Sequence, residues 1–416
     1  MDRPSQPMQP STSIPLPEGD LEHRISAVGR ELGETLAEVL ESVPGAPHRP
    51  QHLATTLGLD KVLTSRVIRA AKHQDPIAIM QLAPGPDPMR RLLRAAKKHG
   101  APESLIDSAT DAINNFEKLI REEAGDRGTL GAIIASWLPD ARAEFESRQK
   151  QAAFKTMSLL KGVVADVNIA TVLLHPAEDG ENIDILWIMG LGNLTRLRPR
   201  APIKFVSRRV DVESQPRRST TIAGDPIEGS QGVLLDQFCR GPLATLDLHR
   251  AGDVNHYMVA GEDYGLKSKS DLIIAEASYA ELPRRIAGEP HRKGYFFAEI
   301  GTPARSLIFD AFVHRDIYPG RDPSLAMYDT SFEGIANVND RSRDVDRLDL
   351  LESIQPLGQG LSMARTPELP RHVELLESAF QSMNWNPNEF RGYRCRIEFP
   401  IYGSQVTMAF DVPGHD

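Results

Sequence analysis

The chain has 416 residues, of which 40% are hydrophobic and 25% are charged, and its formal charge is −9; this is ordinary for a globular protein of two or three domains. Its two cysteines, Cys239 and Cys395, exclude a disulfide framework and a cysteine-rich zinc site, and they fit a reducing cytosol. No apolar run approaches the ~18 residues of a membrane span, and no signal-like segment opens the chain, so we expect a cytoplasmic protein without a membrane partner.

The first 20 residues are rich in proline, serine and glutamine and contain almost no aliphatic side chains. Such a segment cannot bury enough surface to offset the entropy of ordering it, so residues 1–20 are predicted to be a disordered arm. Apolar residues then recur at helical spacing from residue 21 to residue 43, where Pro44 and Gly45 interrupt the pattern. A supporting helix is therefore predicted at residues 21–43, ahead of residues 53–68.

Residues 53–68, with the sequence LATTLGLDKVLTSRVI, have the spacing of two short helices joined by a tight turn. Gly58 suits the left-handed conformation that ends one helix and turns the chain into another. Asp60 is well placed to cap the second helix. The buried stripe of that helix is predicted to consist of Val62, Leu63, Val67 and Ile68.

The polar residues of the second helix are predicted to face outward, where they suit phosphate oxygens and base edges. They are Lys61, Thr64, Ser65, Arg66, Arg69 and Lys72. With LG, an aliphatic residue and a polar cap at 57–60, and SRVI at 65–68, the segment resembles the helix-turn-helix of bacterial transcriptional regulators. The likeness covers about 20 of 416 residues and departs at Thr64, where an aliphatic residue is usual. It implies a DNA-binding domain, assigned to residues 21–125, whose second helix enters the major groove; the alternative is a helical domain that binds no DNA.

Positive charge is concentrated around this segment. Residues 51–98, called here the basic island, carry nine Lys and Arg against three Asp, a net +6 that leaves −15 on the rest of the chain. A basic island on an acidic chain favours phosphate binding. A second basic element at residues 89–98 has the pattern of an amphipathic helix, and Arg90 and Arg91 are predicted to contact DNA unless they belong to a merely solvated face.

The segments that follow are predicted to be mostly helical. Residues 76–88 form either a wing, meaning a short extended hairpin, or a connection between helices, and the sequence does not decide between these. Residues 103–123, 130–138 and 140–160 have helical spacing. We assign residues 126–162 to a helical connector. It either pairs across a two-fold axis, as a homodimeric DNA reader needs, or packs on its own domain.

After residue 162 the pattern changes to short β-prone runs separated by turn residues. Strands are predicted at 167–174, 183–189, 203–206, 254–260, 272–275, 295–300, 306–313, 393–399 and 406–412, and helices at 340–353 and 371–382. The chain is thus predicted to be a multidomain α+β protein. Its residues 163–416 form a mixed, sheet-rich α+β domain that senses a small molecule or a partner protein.

Two polar clusters were weighed as sites of chemistry. His249, Asp253 and His256 could hold a metal if their loop folds back, but their spacing matches no established metal loop, which favours a solvated loop. Strand alternation places Asp310, His314 and Asp316 on one face, where a histidine flanked by two carboxylates could act as a base or ligand. The alternative is the solvent side of an edge strand. No catalytic, metal or cofactor site is predicted.

Two functions are consistent with these patterns. In the first, the protein is a bacterial-type transcriptional regulator that binds double-stranded DNA as a homodimer and responds to an effector. In the second, the large domain is an enzyme or an assembly module, and the helical domain serves docking or oligomerisation. The basic island favours the first.

Overall fold

The computed structural model describes residues 17, 19–209, 211–212, 215–216, 219–227, 229–252, 254–285 and 292–413. The predicted arm lies almost entirely outside the described residues. The chain divides into two units, Met1–Phe145 and Glu146–Asp416, called here the head unit and the sheet unit. No helix among the described residues combines the length and the apolar character needed to cross a membrane.

The head unit is built from helices around one apolar core. The helices are α1 (Leu21–Ser42), α2 (Pro50–Leu57), α3 (Lys61–Lys72), α4 (Pro76–Leu82), α5 (Pro86–Lys98), α6 (Glu103–Leu119) and α7 (Arg127–Ala135), and α8 (Pro139–Lys161) begins in this unit. As predicted, α1 buries a continuous apolar stripe that includes Ile25, Leu32 and Leu36, and it packs against α3, α4 and α6.

Two glycines of α1 allow α4 to approach it closely. A Cβ atom on Gly29 would lie 2.2 Å from the carbonyl oxygen of Pro76, and one on Gly33 would lie 2.5 Å from the Ile79 side chain. Atoms do not approach so closely, so this helix pair needs glycine at position 29, where the neighbour is backbone; at position 33 the end of the Ile79 side chain would have to move.

The turn between α2 and α3 has the predicted conformation. Gly58 has φ of 65° and ends α2 in the left-handed region, and Leu59 donates its N–H to the carbonyl oxygen of Ala54 at 2.9 Å. The Asp60 carboxylate accepts from the N–H of Val62 at 2.7 Å and of Leu63 at 3.2 Å, which is the predicted N-cap. These contacts confirm the turn and its cap, and DNA binding by the two helices stays a prediction.

Residues 76–88, predicted to form either a wing or a connection between helices, belong largely to α4 and α5. The segment therefore does not form the extended hairpin of a wing. Pro76 and Pro86 each lie in the first turn of a helix, where a proline lacks no needed hydrogen bond, and Asp75 caps α4 through the N–H of Ile77. Two arginines close the other end of α4. Arg66 donates to the carbonyl oxygens of Leu82 and Ala83, and Arg127 donates to those of Met80 and Gln81.

The predicted connector at residues 126–162 does not form a unit of its own. Helix α7 contributes Leu130 and Ile134 to the core of the head unit. The boundary between the units falls within α8, after Phe145. The C-terminal part of α8 belongs to the sheet unit, where Phe154 packs on Phe399 with ring centroids 5.3 Å apart.

The described residues of the sheet unit form a seven-stranded sheet, smaller sheets, the C-terminal part of α8 and one further α-helix. The strands are β1 (Val163–Pro176), β2 (Asn182–Arg196), β3 (Lys204–Arg209), β4 (Asp211–Val212), β5 (Gln215–Pro216), β6 (Ser219–Thr220), β7 (Leu246–Ala251), β8 (Val254–Val259), β9 (Ser270–Pro283), β10 (Lys293–Glu299), β11 (Ala304–His314), β12 (Ser324–Asp329), β13 (Ile354–Gln359), β14 (Phe390–Glu398) and β15 (Ser404–Asp411), and the helix is α9 (His372–Ser382).

The large sheet has the order β13-β14-β11-β1-β2-β9-β6; β1 and β11 are parallel, and the other neighbours are antiparallel. The smaller sheets are β10-β15-β12, β3-β8-β7 and β4-β5. One face of the large sheet, with Val172 and Phe309, packs on residues of β8, β10 and β15. The opposite face, with Leu173 and Phe312, is covered by α9.

Every predicted strand overlaps an observed one, and the predicted helix at 371–382 corresponds to α9. The predicted helix at 340–353 is wrong. Only Arg341–Asp346 are helical, as a short 3-10 turn capped by Asp340, and the chain then extends into β13. Arg343 explains this, because its buried guanidinium bonds Asp346 and the carbonyl oxygens of Gly334 and Ile335, and so holds a compact loop. The α+β class is borne out.

Candidate functional site

Helix α3 presents a basic stripe on the surface of the head unit. Lys61, Arg69 and Lys72 are exposed, and Ser65 is half-buried between them. Their spacing of four, four and three residues places them on one side of the helix. The rise of an α-helix makes this stripe about 16 Å long. We call Lys61, Ser65, Arg69 and Lys72 the α3 stripe.

Thr64 was predicted to face outward, and this is wrong. Its side chain is fully buried, and its hydroxyl donates to the carbonyl oxygen of Pro50 at 2.9 Å, which ties α3 to the start of α2. Val62, predicted to be buried, is instead 66% exposed. The buried face of α3 is thus rotated about the helix axis relative to the prediction. Thr64 occupies a core position, where the Pro50 carbonyl oxygen accepts its hydroxyl hydrogen.

Arg66 is also placed differently from the prediction. Its half-buried guanidinium donates to the carbonyl oxygen of Ala83 at 2.9 Å and to that of Leu82 at 3.3 Å. These oxygens lie at the C-terminal end of α4, where the helix dipole favours a cation. Arg66 therefore joins α3 to α4 and does not belong to the candidate interface.

The basic face of α5 divides into paired and unpaired cations. Arg90 forms a charge-assisted hydrogen bond with Glu117 and lies 3.4 Å from Asp87, and the bond with Glu117 raises the pKa of Arg90. Lys97 pairs with Glu103 at 2.6 Å. The Arg90 side chain is therefore bonded within the head unit, whereas the Arg91 side chain is exposed, as an interface residue must be.

Six cations of the basic island are exposed and make no ion pair within the described part of the chain. They are Lys61, Arg69, Lys72, Arg91, Arg94 and Lys98. Three lie on α3, and the other three recur on α5 at intervals of three and four residues. The candidate nucleic-acid interface is therefore the α3 stripe, with the α5 cations as a second basic surface.

In the sheet unit, Asp310 belongs to a buried ionic network. It lies on β11, which is a central strand, so the expectation of an edge strand facing solvent is wrong. Arg394, opposite it on β14, donates to both carboxylate oxygens at 2.7 Å. His372, the first residue of α9, contacts the carboxylate through Nε2 at 2.8 Å. Asp310 and His372 are completely buried, so the network holds α9 on the sheet and is closed to solvent.

His314 lies apart from that network, at the end of β11. Its Nδ1 accepts the N–H of Asp316 at 3.2 Å, which places the hydrogen on Nε2, and Nε2 lies 3.7 Å from the Glu389 carboxylate. Burial and the neighbouring His175 lower the pKa of His314 below its ordinary value. His175 in turn stacks on Trp385, with ring centroids 4.7 Å apart. The histidine is flanked by two carboxylates, but they are Asp316 and Glu389, and not Asp310.

The partners of these side chains were missed by sequence reasoning. His372 and Arg394 lie 62 and 84 residues from Asp310 along the chain, so only the fold brings them together. The sequence of β14, FRGYRCRIE, contains three arginines and so does not single out Arg394, whose burial is evident only in the folded structure. A buried strand tolerates such a charge when a partner is present.

Two members of the cluster considered as a metal site, His249 and His256, lie in a β-hairpin. His249 and His256 are direct neighbours across β7 and β8, and the Ser207 hydroxyl lies 2.8 Å from Nδ1 of His256. Asp253 lies outside the described residues. Among the residues that the structure describes, no group of three or more His, Cys, Asp or Glu side chains is arranged to hold a metal ion.

No protein-family model matches the chain, and no curated protein matches it in sequence.

Proposed function

We propose that this protein binds double-stranded DNA through α3 and acts as a transcriptional regulator whose sheet unit senses a small molecule or a partner protein. The observation that carries the proposal is the α3 stripe. It combines exposed cations and a hydroxyl on one side of a helix whose other side is fixed to α2 by Thr64 and to α4 by Arg66.

The dimensions and chemistry of the stripe fit a duplex. The major groove admits an α-helix, and about 16 Å of helix is matched by roughly five base pairs at the usual ~3.4 Å rise. Lys61, Arg69 and Lys72 would neutralise phosphates, and the Ser65 hydroxyl suits a phosphate oxygen or a base edge. Rigid attachment of α3 supports the proposal, because contacts to base edges require a helix held in one orientation.

Val62 adds an apolar element beside the stripe. A β-branched side chain that is 66% exposed near the start of α3 contributes little to the core of the head unit. In the major groove, such a side chain can pack on the methyl group of thymine. Val62 is therefore proposed as a contact that favours A·T base pairs.

The remaining parts of the proposal concern the oligomeric state, the selectivity for DNA sites and the location of the protein. A homodimer would supply two copies of α3 for a two-fold symmetric site, with half-sites one helical turn apart. The charge of −15 outside the basic island would limit nonspecific adhesion to nucleic acid. Such a regulator would act in the cytoplasm.

Salt-dependent binding of the full chain to short random duplexes, followed by fluorescence anisotropy, tests the proposal. Each phosphate contact contributes about 0.9 to the slope of log K against log salt, so Arg69→Ala should lower the slope by about one. Arg30→Ala is the matched control, because it removes the same charge from an exposed position on α1. Equal slopes for the wild type and the Arg69 variant would exclude α3 as the DNA-contacting helix.

A further inference from the structure

Exposed leucines lie together at one end of the large sheet, where α8 and β2 end and the loop between β8 and β9 reaches them. Leu266 is 91% exposed, Leu159 is 72% exposed and Leu160 is 63% exposed. Leu197 and Tyr264 also face solvent. One exposed leucine is ordinary, but a group of them forms an apolar surface that the fold itself does not use. We call these five residues the leucine patch.

Backbone hydrogen bonds hold the three segments of the leucine patch side by side. Leu197 donates its N–H to the carbonyl oxygen of Gly162 at 2.8 Å, which places it beside the C-terminal end of α8. Gly265 donates its N–H to the carbonyl oxygen of Arg196 at 2.7 Å, which brings the loop between β8 and β9 to the end of β2. Every residue of the patch lies within three positions of one of these two bonds, so the fold fixes the patch as one surface.

Positive charge surrounds the leucine patch. The segments 155–161, 197–200 and 262–269 carry six Lys and Arg against two acidic residues, a net +4. Lys155, Arg200 and Lys267 are exposed and form no ion pair within the described parts of the chain. Arg198 donates to the carbonyl oxygen of Leu160 at 2.6 Å, which holds its charge directly beside the patch. The surface is therefore both apolar and cationic.

This combination decides which partner fits. A second copy would bring two surfaces of net charge +4 together, and like charges oppose such a contact. Duplex DNA matches the charge but gives exposed leucines little to pack on. Protein interfaces are depleted in lysine, and their strongest contacts come from tryptophan, tyrosine and arginine more than from leucine. An anionic lipid surface accepts both features, because leucines enter the boundary between headgroups and acyl chains while cations bind the headgroups.

We propose that the leucine patch binds the surface of an anionic lipid bilayer, with its leucines inserted between the headgroups and the surrounding lysines and arginines paired with their negative charges. The sequence predicted no membrane partner because it lacks a spanning segment, but a peripheral contact of this kind needs none. The inference concerns the sheet unit alone and holds whether or not the head unit binds DNA.

Co-sedimentation of the full chain with lipid vesicles tests the proposal. Vesicles of phosphatidylcholine with about 30% phosphatidylserine supply an anionic surface, and vesicles of phosphatidylcholine alone are the neutral control. We expect binding to the anionic vesicles to be at least tenfold tighter than binding to the neutral ones. Binding to the anionic vesicles should also weaken as the salt concentration rises, because salt screens exposed charges.

Three variants separate the apolar and the charged parts of the contact. Leu266→Ser and Leu160→Ser change exposed side chains that the core does not need, and each should weaken binding to anionic vesicles about tenfold. Lys267→Glu should weaken it at least tenfold and leave binding to neutral vesicles unchanged. Met363→Ser is the matched control, since Met363 is 59% exposed but lies in the loop between β13 and α9, and it should bind as the wild type does.

The basic island of the head unit also attracts anionic surfaces, and Arg69→Ala distinguishes its contribution. This variant should leave vesicle binding unchanged. Conversely, Leu266→Ser should leave the salt dependence of DNA binding unchanged. The two surfaces can therefore fail independently.

Four results would overturn the proposal. They are no binding to either kind of vesicle, equal binding to both, binding that neither leucine variant weakens, and binding that Arg69→Ala abolishes while the leucine variants retain it. Polyglutamate, an acidic polypeptide, is the remaining probe. If it binds and the vesicles do not, and if Leu266→Ser and Lys267→Glu weaken its binding, the leucine patch is a docking surface for an acidic protein instead.

Discussion

Replacing Arg66 with alanine should destabilise the head unit without removing a DNA contact. The change deletes a charge-assisted hydrogen bond to the carbonyl oxygen of Ala83 at 2.9 Å and a longer one to that of Leu82 at 3.3 Å. A hydrogen bond to a charged group contributes about 1.5–3 kcal/mol, and the longer one contributes less. Arg127 still holds the preceding carbonyl oxygens of α4. The expected loss in the free energy of unfolding is therefore about 2 kcal/mol.

Thermal unfolding of the head unit measures this loss. In the full chain with Trp187→Phe and Trp385→Phe, the fluorescence of Trp137 reports on the head unit, because Trp137 packs against its core. A loss of about 2 kcal/mol should lower the midpoint by roughly 5–9 °C in a unit of this size. Arg69→Ala is the matched control, since Arg69 is exposed, and its midpoint should change little.

The opposite pattern would refute this assignment of the two arginines. If Arg66→Ala leaves the midpoint unchanged and lowers the salt dependence of DNA binding, its side chain contacts DNA and does not hold α4. If Arg69→Ala unfolds the head unit, the α3 stripe is part of the core. Either result would place the outer face of α3 elsewhere.

Further predictions concern the turn, the helix pair and the buried groups. Gly58→Ala should cost about 1–2 kcal/mol in chemical unfolding from left-handed strain alone, as no atom lies near the added methyl group, whereas Gly29→Ala should cost more because its Cβ meets the Pro76 carbonyl. Asp310→Asn should destabilise the sheet unit by about 3–5 kcal/mol, because it leaves Arg394 as a buried charge without a full partner; a loss below 1 kcal/mol would contradict this. The pKa of His314 is lower in the folded chain than in the unfolded chain, so as the pH falls the imidazole is protonated in the unfolded chain before it is protonated in the folded one. Stability should be complete above about pH 6.5 and should fall below it, and urea titrations of His314→Gln should lack this component.

The parts of the fold that sequence predicts well are those governed by local chemistry. Gly58 and Asp60 lie next to the groups they serve, so a left-handed turn and a helix cap follow from residue type and position. Runs of β-prone residues between turn residues likewise mark β1, β2 and β11. Strand order does not follow from such patterns, because β11 pairs with β1 from more than 100 residues away.

The surface of α3 could be predicted only in part. Helical periodicity locates an apolar face only to within about one residue. In α3 either Val62 or Thr64 could have been the buried residue, and residue type favoured Val62. The core accepts Thr64 because Pro50 supplies an acceptor for its hydroxyl, and that carbonyl lies 14 residues earlier in the chain. Arg66 likewise finds its acceptors 16 and 17 residues later. Residue type alone does not distinguish such an arginine from one that binds phosphate.

The sites of the sheet unit were still less accessible. Asp310 and His314 share a strand face, but each takes its partners from other elements, and the two belong to different clusters.

The most direct test of DNA recognition is selection of bound fragments from random duplexes by the purified full chain. A dimer that reads DNA through two copies of α3 should enrich a two-fold symmetric motif, and Arg69→Ala should abolish or weaken that enrichment. Val62→Ser should change the preference at one A·T position in each half-site. Recovery of no motif, together with binding that does not respond to salt, would contradict DNA recognition by the α3 stripe.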